Sequence, residues 1–102
     1  MNDDVFQSSN HNISKKAVRK WAIDWTKRFK ELKTKVAKAG DDFEGALKEL
    51  DVSAPTWKAF RNAARKVKRE SKTPLRYGRG VQKLIDAEIK HYSKLADSLA
   101  SR

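Results

Sequence analysis

Between residues 53 and 69 the chain sets Thr56, Lys58, Arg61, Asn62, Arg65, Lys66, Lys68 and Arg69 at short steps, with no acid before Glu70. Guanidinium and ammonium groups at such spacing do one kind of chemistry well, the neutralisation of closely spaced anions such as phosphates. Two members also carry base-reading chemistry: Arg61 matches guanine O6 and N7, and Asn62 matches adenine N6 and N7. Lys72, Arg76 and Arg79 extend the charge and suit a phosphate backbone or a narrow minor groove. Catalytic arrangements do not form. His11 and His91 stand apart, so neither a metal site nor a histidine general base has partners in the sequence. Asp41, Asp42 and Glu44 cluster where helix capping explains them, and Asp86 and Glu88 do not share a helical face well. Gly78 and Gly80 lack the strand-then-helix setting of a phosphate loop. The expectation is a protein that is not an enzyme, with no cofactor and no metal.

The elements that position these side chains are helices. From Ser14, a plausible N-cap, apolar residues recur at Val18, Trp21, Ala22, Trp25, Phe29, Leu32 and Val36, the stripe of one long helix ending at Gly40. Its other faces carry ten bases against Asp24 and Glu31. Residues 41–52 reverse the sign, five acids against Lys48, and open with Asp41 and Asp42 as capping and dipole-favoured residues. A third helix follows over 53–69, with Ser53 as its cap and Pro55 in its first turn. Residues 71–80, with a proline and two glycines, predict a basic loop. Val81, Leu84, Ile85, Ile89, Tyr92, Leu95, Ala96 and Leu99 then mark a last helix over 81–100. No alternating strand pattern occurs, so the expected fold is all-α, a single four-helix domain over 14–102. Residues 1–13 predict a disordered tail.

Lys and Arg number 24 against 13 Asp and Glu, a net charge of +11 on 102 residues. Residues 14–40 and 53–80 are each net +8 and together exceed the whole excess, and two concentrated basic faces point to docking on a polyanion. The aromatics read mainly as core, since each lies on its helix's apolar stripe. Tyr77, between Arg76 and Arg79, is the one residue placed as a base-stacking platform would be. There is no cysteine, so disulfides and thiol chemistry are excluded. With no long apolar run, the chain reads as cytoplasmic, without a membrane partner.

Residues 42–65, DFEGALKELDVSAPTWKAFRNAAR, order these parts as short helix, tight turn at Asp51-Val52-Ser53, and basic helix. The run Ala46-Leu47-Lys48-Glu49-Leu50-Asp51-Val52-Ser53 with Thr56-Trp57 and Phe60-Arg61 resembles the helix-turn-helix domains of bacterial and phage regulators. Those read as a small residue, three residues, Gly-Val-Ser, then Thr and an apolar residue. Asp51 stands in the glycine position and Leu47 in that of the usual alanine, which implies a wider crossing of the two helices. The resemblance covers residues 42–65, within a helix-turn-helix expected over about 42–69, and implies duplex DNA binding, as in transcription regulation or by a phage or plasmid accessory factor. Thr56, Lys58, Ala59, Arg61, Asn62 and Arg65 would then enter the major groove, and Lys66, Lys68 and Arg69 would reach phosphate. A homodimer through the last helix's apolar face would supply two half-sites. Two other readings use the same charge: an RNA-binding module, and a basic inhibitor or adaptor that covers an acidic protein.

Overall fold

The Ser14 hydroxyl accepts the Ala17 N–H at 3.0 Å and starts α1 (Lys15–Ala39), in a computed structural model that describes residues 14–40 and 42–100. Gly40, at φ 62°, ends that helix in a conformation that costs a glycine nothing. The 1–13 segment and Asp41 lie outside the described residues. Three more helices follow: α2 (Phe43–Lys48), α3 (Pro55–Glu70) and α4 (Pro74–Ala100). Among the described residues there is no strand, and no helix is long and apolar enough to cross a membrane.

α1 and α4 run antiparallel and pack along their lengths. Arg19 Nε donates to the Ala96 carbonyl at 3.3 Å near one end, and Lys33 pairs with Asp86 at 2.8 Å further along. α3 packs on α4 and α2 on α1. The core between them is aromatic. Phe29, fully buried, lies 4.7 Å from Trp57, 5.4 Å from Phe60 and 6.0 Å from Tyr92, ring centre to ring centre, and Trp25 meets Trp57 edge-on at 5.0 Å. Three helices thus meet on one ring, in the edge-to-face and offset geometries that π systems prefer. Trp21 departs from the core expectation. It is 41% exposed and touches Tyr92 by its edge, because its position is rotated toward the rim of the apolar stripe.

The bounds of α2, α3 and α4 differ from the sequence expectation. The 71–80 segment is not a loop: α4 starts at Pro74, and only Ser71, Lys72 and Thr73 link it to α3. Thr73 caps that helix, its hydroxyl accepting the Arg76 N–H at 3.1 Å, and Pro74 takes the first position, where its missing N–H costs nothing. The two glycines lie within the helix because of what packs on them. A Cβ at Gly78 would come within 2.7 Å of the Phe43 ring, and one at Gly80 within 2.4 Å of Val67. Tyr77, between them and Arg76, is buried edge-on against Phe43 at 5.1 Å, so it offers no stacking face. Burial also raises its hydroxyl pKa.

α2 is shorter than expected, and Glu49 and Leu50 close it with bonds to the third carbonyl back, Ala46 and Leu47. Val52, expected to pack in the turn, is 41% exposed. Nor does Ser53 cap α3. Ala54 holds the cap position without a side-chain bond, while the Ser53 hydroxyl donates to Asp51 Oδ1 at 2.6 Å, a charge-assisted bond within the turn.

Gly78→Ala is expected to destabilise the fold by about 1–3 kcal/mol through overpacking against Phe43. An exposed mid-helix glycine would instead gain about 1 kcal/mol from the same change. Urea unfolding followed by circular dichroism gives the sign, and a stabilised variant would show that α4 does not press on Phe43 there.

Candidate nucleic-acid interface

α3 buries Trp57, Phe60 and Ala64, and at 3.6 residues per turn the opposite side carries Lys58, Asn62, Arg65 and Arg69 in one row, with Ala59 and Lys66 beside it. All six are exposed, and no acid pairs with any of the four cations among the described residues. The aromatic core beneath fixes the direction of the row. Asn62 therefore stands on the outer face as expected.

Arg61, the other expected base reader, does not share that face. It is half-buried on the flank toward α2, lining an open depression with Glu44, Leu47 and Lys48. Thr56 is half-buried as well. Lys68, assigned to phosphate, is held by the Glu44 carboxylate across the same depression. That contact lowers the Glu44 pKa, through the hydrogen bond first and the charge second, and raises that of Lys68 for the same reason.

The acids of 42–51 are all engaged internally. Asp42 accepts the Gly45 N–H at 3.1 Å, Glu44 holds Lys68, Glu49 meets Lys35 Nζ at 3.4 Å, and Asp51 accepts from both the Ser53 N–H and hydroxyl. The Ser53 bonds lower the Asp51 pKa, with a smaller contribution from the Arg28 charge. Both Glu44 and Asp51 therefore stabilise the α2–α3 turn above the ordinary carboxylate range, and that contribution fades as pH falls through their lowered values. The negative segment fixes the turn and leaves the α3 row uncompensated. The Glu49 to Ala54 connection, without any positive φ outside glycine, shows that Asp51 adopts no left-handed conformation.

Lys72 precedes α4, and Arg76 and Arg79 lie on its first two turns; all three are exposed. Helical phase separates them. Arg79 turns toward the end of α1, lining a depression with Gly40 and Gln82. Arg76 and Lys83 are one helical side, seven residues apart and exposed, flanking the point where Gly80 meets Val67 of α3. Lys83 was not singled out from sequence; the signal for it was the Thr73-Pro74 helix start, which puts Arg76 and Lys83 on one face.

His91 is exposed and edge-on to the Tyr92 ring, and the described residues include no group of three or more His, Asp or Glu placed to hold a metal. The apolar face of α4 assigned to a homodimer lies in the protomer core: Val81, Ile85 and Tyr92 are buried, and Leu84, Ile89 and Leu95 pack against them. A second copy could reach that face only by displacing α1. Comparison with protein-family models, with curated proteins and with solved structures returned no match.

Proposed function

We propose that this protein binds duplex DNA, with α3 as the element that enters the major groove, in the manner of a small helix-turn-helix regulator or mobile-element accessory factor. The observation that carries the reading is the exposed, uncompensated row Lys58, Asn62, Arg65 and Arg69 along one side of a helix braced from behind by Trp57 and Phe60. A rigid helix of that kind fits a groove about 12 Å wide and delivers Asn62 to base edges while its cations meet phosphates on either strand. Lys66, Lys72, Arg76 and Lys83 extend the contact along the backbone. Arg61 supports α2 or swings outward to a base, and Lys68 remains with Glu44. The order short helix, turn, basic helix supports the helix-turn-helix geometry, with Leu47 buried where a small residue is usual.

Salt titration tests the reading. If about five of these cations displace counterions, log K for a random duplex falls with log salt at a slope of roughly −4 to −5. Fluorescence anisotropy of a labelled duplex measures it. A slope near zero, or no binding at low salt, overturns the proposal.

A further inference from the structure

The second basic element, α1, does not contribute to the α3 face, and its charge is arranged against its own stability. Lys15 and Lys16 occupy its first turn, where no acid is present and where the helix dipole disfavours cations. Lys16 and Lys20, four apart, repel one another on the same face. Trp25, Phe29, Leu32 and Val36 point into the core. Roughly half a turn round the helix lies a second ridge, Lys16, Lys20, Lys27 and Lys38, with Lys30 beside it. All five are exposed, and none is in an ion pair among the described residues; Asp24 and Glu31 lie along one edge, and Asp97 of α4 shares an open depression with Lys27 and Lys30 on the other. By contrast Lys33 and Lys35, nearer the core, are paired with Asp86 and Glu49.

Because Phe29 meets Trp57 and Phe60 of α3 across the core, the α1 ridge and the α3 row lie on outward faces turned away from one another. The molecule between them is long and thin, 48 × 28 × 21 Å. The α1 ridge runs about 33 Å from Lys16 to Lys38 at 1.5 Å per residue, close to one turn of duplex, about 34 Å. A duplex seated on α3 would have to bend back sharply to reach that ridge, which its persistence length of about 150 base pairs makes costly. We infer that α1 holds a second duplex, so that one chain bridges two DNA segments. Charge complementarity selects the occupant: a straight ridge of five lysines, which outnumber the acids along its edges, matches a linear polyanion with about one charge per 1.7 Å. It has little apolar surface apart from Ile23, less than an acidic protein partner would need.

This inference rests on duplex binding through α3, and the test separates the two. Full-length protein is mixed with an excess of a short random duplex, about one and a half helical turns long, and sedimentation velocity reads the composition of the complex. The expected result is one chain with two duplexes at low salt. Lys16→Glu, Lys20→Glu, Lys27→Glu removes the second duplex and keeps one. Lys58→Glu, Arg65→Glu, Arg69→Glu, with the same change in net charge, also leaves one, held more weakly through α1. Circular dichroism verifies that both variants keep their helices. A wild-type chain that takes up one duplex only, or an α1 variant that still takes up two, overturns bridging and leaves the α3 reading intact. Absence of any complex overturns both.

Discussion

Reversing Lys58, Arg65 and Arg69 to Glu is expected to lower duplex affinity about a thousandfold at about 0.1 M salt, since each lost phosphate contact removes close to a decade at that concentration. The three residues are exposed and form no ion pair among the described residues, so the helical spectrum should stay unchanged. Residual binding is left to the α1 ridge. A comparison pair places charge reversals on α1 instead: Lys33→Glu with Lys35→Glu breaks the pairs with Asp86 and Glu49, which are exposed and individually weak. Its expected effect is about tenfold or less, because each lysine is already partly neutralised. Titrating both variants by anisotropy decides the docking face. Should the α1 pair prove the more damaging, α3 is not the element in the groove.

Phe29→Ala is expected to cost about 3–5 kcal/mol of folding stability. A domain of this size has roughly 5–15 kcal/mol in total, so the variant loses a large share of its stability. The reason is position. Phe29 has no exposed surface and touches rings from both α3 and α4, so its removal opens a cavity where three helices meet. Trp21→Ala removes a larger ring and is expected to cost about 1 kcal/mol or less, because that ring is 41% exposed and rests on Tyr92 alone among the described aromatics. Urea midpoints of the two variants measure the difference. If Phe29→Ala is no worse than Trp21→Ala, the aromatic centre does not hold the helices together.

Local chemistry determined much of this protein directly. The apolar period of Trp25, Phe29, Leu32 and Val36, the cap at Ser14 and the stop at Gly40 define α1 without reference to any other element. The all-α class and the basic row on the third helix follow from the same periodicity. What sequence could not supply was the identity of each side chain's neighbour. Gly78 and Gly80 look like helix breakers in isolation, yet they lie inside α4 because Phe43 and Val67 occupy the space a side chain would need. Tyr77 looks like a stacking platform between arginines until Phe43 covers it. Lys68 reads as a phosphate contact until Glu44, twenty-four residues earlier in the chain, is found paired with it. The long apolar face of α4 reads equally as a dimer seam or a core, and only its antiparallel seat on α1 decides between them. Periodicity is a property of one helix and is written in its own residues. Pairing, by contrast, depends on how helices distant in sequence cross, and that crossing is set by the fit of whole faces rather than by any local signal.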